Sequence, residues 1–360
     1  MRSLRGRHVY LGATALCILL FHLASGMRPV MNFLAAATLR VRQGLGRACG
    51  LLPFSLAEAL AALAVAAGIA WLVWTALSLR KPGRRLATLW RRVSLLLAAG
   101  LTAYLLLCLF LGASYRADSF QDRSGLTARA EPLEALYETT ALFVDKLCET
   151  ADSVPRDQAG CFALPLEDVF DAAPDIYRGA ERIYPFLTLR DARPKPLLFS
   201  RLLSQFNYTG FYFPFTGEAN INVDVVPCLI PATIAHEMAH QRGVASEQEA
   251  NFVAVLACAE SGNAAYAYSG WLFGFIHLGS ALYRYSPDDY FDLAARLPEG
   301  VRADLNANNA YWAQFETKAA AVSEKVYDAM LKGYGQTLGV QSYGAVVDLL
   351  IAYARQGGFQ

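Results

Sequence analysis

The stretch HEMAHQRGVASEQEANF, residues 236–252, gathers three glutamates and two of the chain's five histidines. His236 and His240 are four residues apart, which on a helix places both imidazoles on one face, one turn apart, where two nitrogens can meet one ion. Glu237 is offset from that face, so its carboxylate reaches a metal-bound water without filling a ligand position. This HExxH spacing is that of zinc hydrolases, in which three protein ligands leave a fourth position open for water. The ion acidifies that water and polarises the scissile carbonyl, while the glutamate takes the proton and delivers it to the leaving amine. So short a pattern also arises by chance on a charged helix, and what surrounds it decides between the two.

Gly243, three residues after His240, suits a left-handed residue that ends one helix and turns the chain. Ser246 then suits an N-cap for a second helix beginning SEQEANFVAVLAC. The donors available for a third ligand are Glu247, Glu249 and Glu260. Glu249 shares a face with Phe252, Val253 and Leu256, whereas Glu247 lies beside Ala250 and Ala254, nearer the surface. A carboxylate aimed inward must pair or bind metal, which favours Glu249 as the ligand. The competing role for Glu249 is a capping box with Ser246. A metzincin is excluded, because its third histidine would fall at position 246, a serine.

The elements that must position this centre follow a division of the chain by charge. Residues 1–115 carry thirteen Lys/Arg against one acid, Glu58, and residues 116–360 carry nineteen against thirty. With 55% hydrophobic residues and positive mean hydropathy, the basic half reads as a membrane domain and not as a nucleic-acid binder. Three spans are expected, about 8–26, 54–79 and 93–115, the last offering 23 uncharged positions for a hydrocarbon core of ~30 Å. The first also fits a cleaved signal peptide, with MRSLRGR as its basic start. Glu58, near one end of its span, is expected to snorkel to the interface. The loop 80–92 holds six Lys/Arg and should stay in the cytoplasm, which puts residues 116–360 on the extracytoplasmic side. The loop 27–53, with Arg28, Arg40, Arg42 and Arg47, argues weakly the other way.

Within residues 116–360 a linker to about 130 is expected, then helices at 131–150, 247–260, 266–285, 287–295, 298–331 with a break, and 343–355. Ala219, Ile221, Val223 and Val225 alternate with Asn220, Asn222 and Asp224, the signature of a strand with one buried face. An edge strand before an HExxH helix commonly aligns the substrate backbone, so Asn220 and Asn222 are candidate substrate-binding residues. Cys148, Cys161, Cys228 and Cys258 permit two disulfides, Cys148 with Cys161 the better pair, or four unpaired apolar side chains. The fold class is α+β: a mainly helical domain with a small sheet behind a bundle of three transmembrane helices.

The motif stretch, with FYFPFTGEANINVD before it and YSGW, NAYW and SYGAVVDLL after it, resembles a bacterial membrane-protein family known as domain of unknown function 3810. PFSLAE at the second span and LGASYR after the third extend the likeness over most of the chain. The resemblance implies three N-terminal spans and a gluzincin-like, zincin-like domain with an HExxH centre, and it supplies no substrate. The E-A-N segment is also similar to that of the ImmA/IrrE-type peptidases, which implies Glu249 as metal ligand.

The reading is therefore a membrane-anchored zinc metallopeptidase with one zinc per chain. His236, His240 and Glu249 hold the metal, Glu237 is the catalytic base and acid, and the partners are the lipid bilayer and a peptide or protein substrate. Hydrogen-bond donors to the transition state are sought among Tyr268, Tyr343, Tyr212 and His277. Asn251 is a candidate to orient a ligand, and Arg242 reads as a surface or ion-pair residue. The alternative is a non-catalytic receptor or scaffold with a structural metal site. An intramembrane protease is disfavoured, because long apolar runs do not flank the motif helix.

Overall fold

The computed structural model describes residues 2–80, 85–129, 131–315, 325–326, 328–329 and 343–359. The first half comprises α1 (Arg2–Ala24), α2 (Arg28–Cys49), α3 (Leu56–Leu79) and α4 (Arg85–Leu107). Helix α4 continues through a π-helical turn, Cys108–Gly112, into α5 (Ala113–Arg116). Among the described residues, three helices are long and apolar enough to cross a membrane: Gly6–Ala24, Leu56–Leu79 and Arg85–Arg116. Their surfaces are largely exposed leucine, valine and tryptophan, as lipid contact requires. Helices α1 and α4 run side by side, joined by Arg7 to the Arg91 carbonyl and the Ser94 hydroxyl, Tyr10 to Thr102, and His22 to Tyr104.

The stretch 27–53, read from sequence as a loop, is mostly the helix α2, with Pro29 in its first turn. Two of its four arginines are not free juxtamembrane charges. Arg28 pairs with Asp118 and Asp122, and Arg42 is buried with its guanidinium on the Ser114 hydroxyl. Charges consumed in this way carry little weight in a topology argument.

The second half contains α6 (Phe120–Ser124), α7 (Leu133–Thr150), α8 (Leu166–Ala172), α9 (Arg178–Ile183), α10 (Ser200–Ser204), α11 (Ile230–Gln241), α12 (Glu247–Ala259), α13 (Ala264–Tyr285), α14 (Pro287–Ala295), α15 (Glu299–Ala313) and α16 (Tyr343–Arg355). Most of 314–331, expected to continue α15 after a break, lies outside the described residues. Helices α7, α11, α12, α13 and α16 enclose one core around Phe143, Met238, Phe252, Leu278 and Leu350. Small residues at Ala232, Ala235 and Ala239 let neighbouring helices approach α11 closely.

The sheet has β1 (Lys195–Pro196), β2 (Gly210–Phe213) and β3 (Glu218–Ile221) in the order β1-β3-β2. β3 pairs parallel with β1 and antiparallel with β2. The strand expected at 219–225 to face water on one side is shorter, Glu218–Ile221, central and wholly buried, while Val223 and Asp224 beyond it keep part of their surface exposed. Helix α11 covers one side of it and the head of α3 the other, so its polar residues are buried too. None of the seven cysteines is bridged, and the expected Cys148–Cys161 pair is absent; the Cys148 thiol faces the Arg296 carbonyl.

The two halves are bonded together at the head of α3. The Glu218 carboxylate accepts from the Leu56 and Ala57 amides (3.1 and 3.0 Å), capping α3 where the helix dipole favours a negative charge. Glu58, expected to snorkel, instead accepts from the Leu198 and Phe199 amides (3.0 and 2.6 Å). Replacing buried Glu218 with Ala leaves two amides without partners and should lower stability by about 3 kcal/mol. Thermal unfolding of the full chain in detergent measures this, and an unchanged transition would show that the cap contributes nothing.

Candidate metal centre

Helix α11 is entered through the 3-10 turn Pro227–Leu229, with Pro231 in its first turn and the Ala232 amide capped by the Ser269 hydroxyl of α13. It presents His236 and His240 on one face, with imidazole centroids 4.8 Å apart. Gly243 adopts φ +85°, the left-handed turn expected from the sequence. That turn brings the Val244 carbonyl back onto His240 Nδ1 at 2.7 Å. Donation of Nδ1–H to this carbonyl leaves the Nε2 lone pair for a metal.

The third residue is Glu247, the first of α12. Its carboxylate lies 3.2 Å from His236 Nε2 and 3.6 Å from His240 Nε2, and the two Nε2 atoms are 3.1 Å apart. An ion bound tetrahedrally at ~2.1 Å holds its ligands about 3.4 Å from one another, so the three groups fit zinc. The donor set of two imidazoles and one carboxylate is also one that zinc favours. Among the described residues, His236, His240 and Glu247 are the group of three whose ligand atoms converge. All three side chains keep some exposure, 12–22%, as a centre with an open coordination position requires.

Glu249, expected as the ligand, is turned away from this group. Its carboxylate accepts from the Phe120 and Gln121 amides at 2.9 and 3.2 Å and from the Gln121 side chain at 3.2 Å. The inward-facing carboxylate does pair, but with the free amides at the head of α6, which tie the chain leaving α5 to α12. The capping-box alternative fails as well, since the Ser246 side chain makes no cap bond.

Glu237 is buried beneath β2, which forms the outer strand of the sheet. A Cβ at Gly210 would lie 3.0 Å from Glu237 Oε1, so only glycine lets the strand approach this closely. Burial raises the Glu237 carboxyl above its ordinary value; the two histidines and the Tyr212 amide oppose that shift only in part.

The Tyr212 ring stacks on His240 with centroids 6.5 Å apart, and the Arg42 guanidinium of α2 lies 5.9 Å from the Tyr212 ring centroid and bonds its phenol. Of the tyrosines weighed as donors, Tyr212 is therefore the one beside the histidines. Tyr268 is elsewhere, buried between Phe162 and Arg156 with its hydroxyl on Asp304. Tyr343 opens α16, and its side chain is outside the described residues. His277 lies close enough to His236 to feel its charge, and burial pushes its imidazole down to about 4.

The candidate substrate residues are turned into the fold. The Asn220 side chain accepts from Ser55 and donates to the Glu218 and Phe211 carbonyls. Asn222 donates to Ser204 and the Tyr208 carbonyl and accepts from the Asp224 amide. Both stiffen the sheet and its junction with α3. Asn251 is buried on α12. Arg242 is not on the surface: it is fully buried, paired with Asp191 and Glu181, and stacked 3.5 Å over Tyr177.

The fold and site define a mostly helical protein with three membrane-compatible helices and an HExxH centre completed by a glutamate of the next helix. The chain belongs to the family described as protein of unknown function (DUF3810), whose model matches residues 39–351. No curated protein and no solved structure matches it.

The charges at the centre predict a pH dependence. Burial pulls the His240 imidazole down, but Glu247, by charge and hydrogen bond, outweighs it and raises it to about 9. Burial likewise raises the Glu247 carboxyl, and the two histidines pull it well below its ordinary value. The metal-free chain thus gains stability from His240 below pH ~6.5 and loses it as pH climbs through 9, while the Glu247 contribution fades in acid. At neutral pH a divalent ion must displace the His240 proton, so affinity should rise about tenfold per pH unit towards 9 and then flatten. Titration calorimetry in buffers of different ionisation enthalpy reads the released proton; zinc uptake at pH 7 without proton release would contradict this charge state.

Proposed function

We propose that this bacterial protein is a membrane-anchored zinc metallopeptidase of zincin-like, gluzincin-like architecture, with one zinc per chain. The observation that carries this reading is the convergence of His236, His240 and Glu247 beside a buried Glu237 that is not one of the converging ligands. Zinc held by those three residues would polarise a scissile carbonyl and make a coordinated water more acidic. Glu237 would accept a proton from the attacking water and deliver it to the leaving amine. The outer edge of β2 is suited to pair with an extended peptide, and Tyr212 is the donor best placed to stabilise a developing oxyanion. The substrate is a peptide or protein segment; of the stretch 80–92 read from sequence as a loop, residues 85–92 form the first turns of α4, and Arg80, Arg85, Arg91 and Arg92 at that end of α3 and α4 support an extracytoplasmic location for it.

The test uses the full chain purified in detergent. Zinc at one per chain, cleavage of a mixed peptide library, and loss of cleavage on chelation with recovery on zinc return are the expected results. Zinc at one per chain with no cleavage would replace this reading with a scaffold that keeps a structural metal.

A further inference from the structure

An apolar surface surrounds the head of α3. Leu51 and Phe54 precede the helix, and Leu198, Phe199, Leu202 and Phe206 lie on the segment bonded to it, each between 41% and 87% exposed. On this segment the usual distribution is inverted: Ser200 and Ser204 are buried against the domain, while Leu202 and Phe206, one turn apart, face outward. Its charged residue, Arg201, is drawn off to Asp224 and Gln314.

The position of this surface relative to a bilayer follows from helix length. From Ala59 to Leu79, α3 has 21 residues without a charge. At ~1.5 Å per residue they extend ~31 Å, the thickness of the hydrocarbon core, which leaves almost no slack. The apolar boundary must therefore fall at the first turn of α3, at Glu58. The Glu58 carboxylate holds the Leu198 and Phe199 amides, and the Lys195 ammonium holds the Gly50 and Leu52 carbonyls. The exposed leucines and phenylalanines are thereby fixed at the depth where lipid headgroups meet acyl chains.

We infer that Leu51, Phe54 and the 198–206 segment form a surface immersed in the lipid interface around the head of α3. The domain is then held against the bilayer by its own surface as well as by its helices. Asn207, at φ 61°, turns the chain out of this surface, and β2 begins at Gly210, so the strand beside Glu237 lies close to the membrane plane.

The test places an environment-sensitive fluorescent amino acid at Leu202 or at Phe206 in the full chain. The protein is reconstituted in nanodiscs of phosphatidylethanolamine and phosphatidylglycerol, part of the lipid carrying a nitroxide on its acyl chain. Probes at Leu63, within α3, and at exposed Asp288 are the lipid and water references. Blue-shifted emission, largely lost to the nitroxide at both Leu202 and Phe206, is expected. Emission matching that at Asp288 overturns the inference. So does a blue shift that the nitroxide leaves intact and that depends on protein concentration, which would assign the surface to a second copy of the chain.

Discussion

Glu247→Gln should abolish zinc retention, whereas Glu249→Gln, two residues away, should leave it near wild type and weaken the fold instead. The Glu247 carboxylate is the only negative charge among the three converging groups, and it lies within 3.6 Å of both Nε2 atoms. An amide keeps the shape but loses the charge, so zinc affinity should fall by more than the 10–100-fold typical of residues that merely orient a ligand. Glu249 accepts three hydrogen bonds at the head of α6 and is 2% exposed. A glutamine there keeps one acceptor oxygen and presents an NH₂ to an amide, at a cost of about 2–3 kcal/mol. Equilibrium dialysis with zinc and thermal unfolding of the full-chain variants separate the two effects. Zinc lost from the Glu249 variant and retained by the Glu247 variant would return the third ligand to Glu249.

The contrast shows what the sequence could and could not convey about the site. His236, Glu237, His240 and the left-handed Gly243 were legible, because i,i+4 spacing and a glycine after a helix are local facts. The third member of the converging group was not. The rule that a buried carboxylate must pair is sound, yet it cannot say with what, and the partners of Glu249 come from 129 residues earlier in the chain. The available signal pointed the other way: a catalytic metal needs an open position, so the more exposed of the two glutamates was the better candidate.

Helices fared better than the sheet for a similar reason. Pro287–Ala295 and Tyr343–Arg355 begin and end where periodicity placed them. The alternation of 219–225 suggested a wet face, but the head of α3 covers its first part through Ser55 and the Glu218 cap. A helix from 161 residues earlier packing on the sheet leaves no mark in the strand itself. Likewise α2 looked like a basic loop, because Arg42, which contacts Tyr212, reads in sequence as a surface charge.

That burial also shapes the variant with the largest expected effect on catalysis, Glu237→Gln. Its carboxylate is not one of the converging ligands, and an amide of the same shape can still accept from the Tyr212 N–H, so zinc content should be unchanged. Glutamine cannot take a proton from water, and cleavage should fall about 10²–10⁴-fold. Stability should move in the opposite direction. A carboxyl raised on folding stabilises the chain in acid and loses that contribution as pH climbs from ~4.5 through its folded value, whereas glutamine does not titrate. The metal-free variant is therefore expected to unfold at a higher temperature than the wild type at neutral pH, with the gap closing in acid. Peptide cleavage, zinc content and unfolding temperature on one preparation decide it: wild-type cleavage by Glu237→Gln would remove the residue from the chemistry, and joint loss of zinc and cleavage would make its role structural.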